Sequence, residues 1–231
     1  DLNPDVLQLQ EINEWGVGSP SPFQLLAEEG GFETAVFGDS NTEFKLGTLA
    51  RRASLESEVL RLGFWHCAIH TELPFRGECL HLWNIHLNPR YEDDRLPEIT
   101  SILARVDPDS YSLITGDFNS IASYDNYDQV AMLSRFRAHA LKKFGDTALR
   151  FDVTERLNDA GLVDIGAQYE WHYTVPTPAN IDADHAAQLR LDYAFATPKL
   201  AALVSGYRVV KNEKTDRASD HYPIEIIIDE S

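Results

Sequence analysis

Cysteine, basic residues and long apolar runs are all scarce in this sequence. It has two cysteines, Cys67 and Cys79, too few for a fold that disulfides hold together. The two lie on neighbouring apolar runs that would form a hairpin, so a cross-strand bridge is conceivable, but we expect two buried free thiols. No apolar stretch approaches the roughly 20 residues that a bilayer span needs, so we expect no membrane span.

The shortage of basic residues limits the partners of the chain. There are 20 Lys and Arg residues against 37 Asp and Glu residues, which gives a net charge of −17. Tight binding to duplex DNA needs a basic face that neutralises phosphates. We therefore expect duplex DNA to bind weakly. The net charge does not exclude a local basic rim around a site. The basic clusters with a path to a site are residues 51–52 and 211–217.

Apolar content and its pattern predict an α/β fold. The 231 residues are 43% hydrophobic, enough for one well-packed domain over 1–231. Strands apolar on both faces, interleaved with helices, predict a four-layered α/β sandwich in which two central mixed sheets are flanked by helices. Strands are predicted at 6–10, 47–50, 65–71, 79–86, 112–115, 191–196, 204–210 and 224–228, helices at 22–29, 93–105, 129–144 and 152–160, and a turn at 74–77.

Four short motifs place polar side chains at the ends of apolar runs. An apolar run that ends this way is typical of a buried strand that brings the polar residue to the rim of a sheet. Carboxylate and amide oxygens gathered there would suit Mg²⁺ or Mn²⁺, and such an ion is typical of attack on a phosphate ester. The motifs are Leu9-Gln10-Glu11, Gly116-Asp117-Phe118-Asn119, Leu191-Asp192-Tyr193 and Ser219-Asp220-His221.

The order of these motifs resembles the endonuclease/exonuclease/phosphatase family over about residues 5–228. Asn84-Ile85-His86-Leu87 adds a fifth element, at a strand end where many members carry a histidine. Each motif alone has an ordinary alternative: an exposed strand-end Glu11, an Asx turn at Asp117, or a surface pair of Asp220 and His221. The ordered set is what favours the family.

The resemblance implies a role for each site residue. Glu11 would be the principal metal ligand, with Asp220 as a second metal-site carboxylate. Asp117 would orient or deprotonate a water, and Asn119 would contact a phosphate oxygen or the metal's waters. The remaining roles fall to three residues: Asp192 would pair with His221, which stabilises charge or acts as general base, and His86 would protonate the leaving oxygen. Gln10, His66, His81 and Arg95 are expected to be structural.

The sequence departs from the family at its start. Members begin with a strand that ends in an asparagine, followed by a helix, whereas this chain opens at Asp1-Leu2-Asn3-Pro4-Asp5, where that helix would end. Asn3 lies in the wrong context to replace the asparagine. We expect either a fragment of a longer chain or a protein without part of the usual metal-site surroundings. A cytoplasmic location is favoured, and secretion stays open for the same reason.

These observations predict a Mg²⁺-dependent (or Mn²⁺-dependent) phosphoesterase that hydrolyses a phosphodiester or phosphomonoester by in-line attack of water. A small molecule, a nucleotide or a lipid headgroup fits the acidity of the chain, and we expect a monomer. The alternatives are a structure-specific DNA or RNA nuclease and a non-catalytic interaction module on the same fold. The segment 171–178 is either a loop that stacks a base or sugar of the substrate or a Pro-rich surface crossing.

Overall fold

The computed structural model describes residues 2–138, 142–179 and 187–230. This part of the chain forms eleven strands and six α-helices. Their order is β1 (Val6–Leu9), α1 (Pro22–Gly30), β2 (Thr34–Gly38), β3 (Leu46–Ala50), β4 (Glu56–Leu60), β5 (Ala68–Phe75), β6 (Glu78–His86), α2 (Glu92–Leu103), β7 (Tyr111–Asp117), α3 (Gln129–Ala138), α4 (Asp152–Asp159), β8 (Val163–Asp164), β9 (Asp192–Ala196), α5 (Pro198–Ala201), β10 (Val204–Val209), α6 (Thr215–Ala218) and β11 (Ile224–Ile228).

The strands form two central layers. A six-stranded mixed sheet has the order β4-β5-β6-β7-β9-β8, and its β6 and β7 are parallel because α2 carries the chain back between them. The facing layer consists of two antiparallel sheets, β1-β3-β2 and β10-β11. Apolar side chains of both layers, such as Val6 and Ile226 against Leu82 and Leu113, form the core between them.

Helices cover both outer faces. Helix α1 packs Phe23 and Ala27 against Leu49 on the outer face of the three-stranded sheet. Helices α2 and α4 bury Ile99 and Leu157 on the outer face of the six-stranded sheet. The prediction of a four-layered α/β sandwich is therefore confirmed, with the second layer divided into two sheets. Among the described ranges, no helix has both the length and the apolar character of a membrane span.

A groove separates the two smaller sheets. In the part of the chain that the structure describes, β1 pairs with β3 alone and β11 pairs with β10 alone. The facing edges of β1 and β11 line an open groove of about 610 Å³, whose floor includes Leu82 and Leu113 and whose end reaches Asp192 and His221. The site residues of the two layers therefore meet beside this groove.

Local signals in the sequence predicted several element boundaries. Ser21 caps α1: its hydroxyl accepts from the Gln24 amide at 3.2 Å, and the Gln24 side chain accepts from the Ser21 amide at 2.8 Å. Gly31 ends the helix in a left-handed conformation with φ 67°. The turn between β5 and β6 is shorter than predicted, since it consists of Arg76 and Gly77, both with positive φ.

Other predictions need correction. Strands β2, β4 and β8 were not predicted, and β4 is an edge strand with mostly exposed residues. The helix predicted over 129–144 ends at Ala138; residues 142–144 are not helical, and 139–141 lie outside the described residues. The strand predicted over 65–71 begins at Ala68. Both cysteines are free as expected, although Cys79 is only half-buried.

A polar contact joins the two layers beneath the rim of the sheet. Asn84 of β6 is fully buried. Its amide donates to the carbonyls of Leu9 at 3.2 Å and Gly47 at 2.9 Å, and its oxygen accepts from Gln10 Nε2 at 2.6 Å. Gln10 thus supports the sheet, as the sequence suggested. Because buried polar groups must be paired, Asn84 sets how β1 sits over β6.

We expect Asn84→Asp to destabilise the protein more than Asn84→Ala does, although aspartate is closer to asparagine in shape. Alanine leaves the buried partners unpaired, which should lower the free energy of unfolding by about 2–4 kcal/mol. Aspartate at pH 7 sets carboxylate oxygens against two carbonyl oxygens that now receive no proton, and burying that charge adds to the loss. Urea unfolding measures both variants. An Asn84→Asp variant as stable as the parent would contradict this account.

Candidate active site

Strand register places three predicted residues in one row. His86 at the end of β6 lies opposite Asp117 at the end of β7. Asp117 in turn lies opposite Asp192, the first residue of β9. Residues directly opposite each other point to the same face of a sheet. The row His86–Asp117–Asp192 therefore presents an imidazole and two carboxylates side by side at one end of the six-stranded sheet.

His86 is buried beside acidic groups. Its Nε2 lies 3.4 Å from Asp117 Oδ2 and 3.9 Å from Glu11 Oε1. Its ring stacks on that of His66 with centroids 4.2 Å apart. Burial lowers the pKa of His86, and burial together with the nearby His86 lowers that of His66 to about 3. The two rings are therefore neutral at pH 7, and His66 is a neighbour of the site that the sequence did not indicate.

The Asp117–Asn119 turn depends on a glycine. Gly116 has φ 137°, and a Cβ there would lie 1.9 Å from the Ile85 carbonyl oxygen, so only glycine fits. Asp117 Oδ1 accepts from the Asn119 backbone amide at 2.7 Å, which is the Asx turn that the sequence left as an alternative. The turn leaves Asp117 Oδ2 facing His86. The Asx turn and a role in the site are thus compatible.

Asn119 is held from two sides. Its Nδ2 donates to the Leu87 carbonyl at 3.1 Å, and its Oδ1 accepts from Lys143 Nζ at 3.1 Å. Burial alone would raise the pKa of Asp117, but the neighbouring His221, His86 and Lys143 outweigh it and lower that pKa. Lys143 belongs to the 139–144 region, and no local pattern in the sequence placed it at the row.

Asp192 and His221 form the predicted pair. His221 Nδ1 lies 2.8 Å from Asp192 Oδ2. Burial opposes charge on this ring, but Asp192, by charge and hydrogen bond, raises the pKa of His221 to about 10, with help from Asp117 and Asp220. His221 is therefore protonated at neutral pH. It is a cation that, with Lys143, balances the carboxylates around it.

The segment 171–178 supports this pair. The buried Thr174 hydroxyl accepts from the backbone amide of Asp192 at 3.2 Å. The Thr174 carbonyl accepts from the Tyr222 amide at 2.8 Å, and the Thr177 amide donates to the Asp220 carbonyl at 3.1 Å. The segment is therefore a brace that holds β9 and the 219–222 turn together. Neither sequence interpretation, a stacking loop or a surface crossing, foresaw this function of its threonines.

Glu11 faces the row from the other layer. It follows β1 in a left-handed conformation with φ 58°, and the next residue, Ile12, is fixed by a bond from its amide to the Lys45 carbonyl at 3.0 Å. Burial, together with the charges of Asp117, Asp220 and Asp192, raises the pKa of Glu11 to about 7, although His221 opposes this shift. Glu11 thus lies among other carboxylates whose negative charge opposes its ionisation. Oxygen donors crowded in this way fit a hard divalent cation.

The structure brings all seven predicted site residues together around one end of the two layers. These are Glu11, His86, Asp117, Asn119, Asp192, Asp220 and His221. One sequence prediction was wrong: Arg51 and Arg52 have no path to the site. Arg51 adjoins the opposite end of β1, where its amide donates to the Asp5 carbonyl, and Arg52 pairs with Glu230 at 2.6 Å.

Arg95, expected to be structural, is fully buried in α2 and donates to Glu92 Oε2 at 2.8 Å and to the Asn88 carbonyl at 2.9 Å. From the basic segment 211–217, Lys211 lies over the ring of Tyr173, 3.2 Å from its centroid, and near Tyr222, the neighbour of His221. Of the predicted basic groups, this segment alone adjoins the site residues.

Residues 1–221 match the model of the Endonuclease/Exonuclease/phosphatase family. The chain belongs to this family. Its members are hydrolytic phosphoesterases, among them nucleases and phosphatases. No curated protein matches the sequence.

Solved structures agree with the family assignment. An AP endonuclease from Archaeoglobus fulgidus has a TM-score of 0.72 at 16% identity, over 98% of this chain and 89% of that one. The 3'-5' exonuclease NExo from Neisseria meningitidis gives 0.71 at 17% identity, over 98% and 90%. A humanized D. rerio TDP2 gives 0.60 at 21% identity, over 96% and 84%. Identities this low show a shared fold.

In EDTA, Glu11→Gln should stabilise the protein at pH 8 but not at pH 5. A carboxyl group with a raised folded-state pKa stabilises the fold below its ordinary pKa of 4.5, and this stability is lost as the pH rises towards about 7. Glutamine removes the loss. Because the Glu11 side chain is half exposed, we expect only about 1 kcal/mol, or about 2–4 °C by calorimetry.

The control for this variant is Glu14→Gln, at an exposed position three residues further on. It should give the same melting temperature difference from the parent at both pH values. If Glu11→Gln also gave equal differences at pH 5 and pH 8, the crowding of carboxylates around Glu11 would be refuted.

Proposed function

We propose that this protein hydrolyses a phosphate ester with the help of Mg²⁺ or Mn²⁺. The observation that carries the proposal is the row His86–Asp117–Asp192, closed by the charged His221 on one side and by Glu11 on the other. Such a pocket sets an ionised carboxylate, Asp117, and a protonated imidazole, His221, around the space for one small anion. That arrangement supports attack of water on phosphorus better than it supports a purely structural role.

The cation would be held by Glu11 and Asp220, and the charge of Asp220 is one of the causes that raise the pKa of Glu11. When bound, it supplies the positive charge that polarises the phosphate. The choice of a hard ion rests on the donors, since the carboxylates at this end are oxygen ligands. Mg²⁺ is the first ion to test, and Mn²⁺ the second.

The protein groups would divide the remaining work by their protonation. Asp117, with its lowered pKa, is ionised and can orient a water or accept its proton. His221, charged through Asp192, would stabilise the negative charge that grows on the phosphate oxygens. Asn119 and its partner Lys143 would contact a phosphate oxygen.

His86 takes a different place in this scheme from the one that the sequence suggested. Burial lowers the pKa of His86, so its imidazole is neutral at pH 7. A neutral imidazole still donates one hydrogen bond. We therefore assign the Nε2 atom of His86, which lies beside Asp117 and Glu11, as the neutral donor to the leaving oxygen or to the attacking water.

A small phosphoester is the substrate we favour. The net charge of −17 repels long polyanions, and the pocket itself is acidic. Nuclease activity is the second candidate, because solved relatives include a 3' phosphatase from Neisseria bound to a product DNA hairpin and a D. rerio TDP2 complexed with single-strand DNA product. Lys143 and Lys211 are the cations that would serve such a strand.

A panel of phosphoesters with Mg²⁺, Mn²⁺ or EDTA tests the proposal. It should contain a nucleotide, a lipid-headgroup diester, an aryl phosphate and an oligonucleotide. We expect turnover that EDTA abolishes and that Asp117→Asn reduces by at least about 100-fold. Activity that survives both changes would refute the assignment of the site. No turnover on any substrate, with unchanged folding, would favour the interaction module.

Asp192→Asn should lower kcat by about 100-fold or more on any substrate that the parent cleaves. Asparagine removes the anion that keeps His221 charged, so the pKa of His221 should fall from about 10. NMR titration of the imidazole and the pH dependence of kcat measure the two effects. The control is Asp229→Asn, an exposed aspartate bonded to Ser205 at 2.8 Å. A fully active Asp192→Asn variant would rule out the pair.

Salt dependence separates the two substrate classes. Each phosphate contact from Lys or Arg adds about one unit of slope to log affinity against log salt. We expect weak binding to duplex DNA and a rate on small phosphoesters that changes little between low and physiological salt. Tight binding with a steep slope, together with Mg²⁺-dependent nicking that Lys143→Gln and Lys211→Gln weaken, would favour the nuclease instead.

A further inference from the structure

We propose that His70, Glu72 and His81 form a zinc-binding site on the outer face of the six-stranded sheet, the face that α2 and α4 cover. His70 and Glu72 are two residues apart on β5, and His81 is directly opposite Glu72 on β6. Their ligand atoms all lie within 4.8 Å of one another. Two imidazoles and one carboxylate are a ligand set that Zn²⁺ takes in proteins.

The separations match the geometry of a tetrahedral ion. His70 Nε2 lies 3.3 Å from His81 Nδ1, and His81 Nδ1 lies 3.4 Å from Glu72 Oε1. Ligands about 2.0–2.1 Å from a tetrahedral Zn²⁺ are about 3.3–3.4 Å from each other. Two of the three pairs of ligand atoms are thus already spaced as ligands would be, and the third pair lies within 4.8 Å. The cluster is partly exposed, which would leave a fourth position for water.

The surroundings favour a cation at this point. Glu56 of the edge strand β4 lies directly opposite Glu72, and like charges directly opposite each other destabilise a sheet. A bound cation would relieve that repulsion. The ring of His70 is fixed by stacking on Trp83, with centroids 4.2 Å apart, so one ligand is already oriented.

This site is separate from the candidate active site. His81 and His86 are five residues apart on β6, about 17 Å along the strand. Because successive residues of a strand alternate between faces, His81 points to the outer face with Trp83, while His86 points to the inner face with Asn84. The proposal therefore does not depend on the phosphoesterase proposal. A bound ion would link β5 to β6, the strand that carries His86.

Cobalt titration of a Glu11→Gln chain tests the site, because this background weakens metal binding at the active-site carboxylates. Tetrahedral Co²⁺ absorbs strongly in the visible region, whereas octahedral oxygen coordination absorbs weakly. We expect one equivalent of Co²⁺ with a tetrahedral spectrum, displaced by one equivalent of Zn²⁺. His81→Gln and Glu72→Gln should each weaken Zn²⁺ affinity by at least about 10–100-fold. Circular dichroism confirms that each variant is folded.

The matched control is His172→Gln, which changes a second histidine–glutamate pair: His172 Nε2 lies 3.9 Å from Glu170 Oε2 at an exposed surface. It should leave the spectrum and the affinity unchanged. Two results would overturn the proposal. One is a Glu11→Gln chain that gives no tetrahedral spectrum at millimolar Co²⁺. The other is Zn²⁺ affinity that is the same in His81→Gln, Glu72→Gln and the control.

Discussion

Crowded negative charge at one end of the two sheets is the constraint on which the site depends. Four carboxylates, those of Glu11, Asp117, Asp192 and Asp220, act on one another there. The fold can hold them because His221 is charged and because Glu11, with a pKa of about 7, is partly protonated near neutral pH. A divalent cation would release that proton by replacing it as the balancing charge. Protonation of Glu11 and stability of the fold are therefore linked, and a bound cation would join that linkage.

Rigid backbone contacts keep these charges at fixed distances. Register alone sets the row of His86, Asp117 and Asp192. The Asn84 side chain then holds the second layer over the row. Its amide donates to the carbonyls of Leu9 in β1 and Gly47 in β3, and β1 leads directly to Glu11. These contacts are buried and uncharged, so they are insensitive to pH and salt.

Much of the fold and most of the candidate site could be predicted from the sequence, for a physical reason. The central strands are continuous apolar runs, and a polar residue at either end of such a run lies at the rim of the sheet. Glu11, His86, Asp117 and Asp192 were therefore visible as strand ends. Strands β4 and β8 were missed because one is an exposed edge and the other has two residues.

What the sequence could not predict comes from tertiary packing. Lys143, His66 and Thr174 reach the row from loops, with no periodicity to mark them. Arg51 and Arg52 were expected to have a path to the site because they form a basic cluster, but the antiparallel pairing of β1 and β3 places them at the other end. The direction of pairing, which single sequences do not encode locally, decides such cases.

The hairpin of β5 and β6 connects the two chemistries inferred for this chain. Its inner face carries Asn84 and His86, and its outer face carries His70, Glu72 and His81 beside Trp83. A strand cannot slip by one residue without exchanging these two faces. An ion that joins His81 to His70 and Glu72 would resist such a slip, because the slip would turn His81 to the other face and remove it from the ion. Register of β6 is also what aligns His86 with Asp117. Stability on the outer face and geometry on the inner face are therefore two consequences of the same pairing.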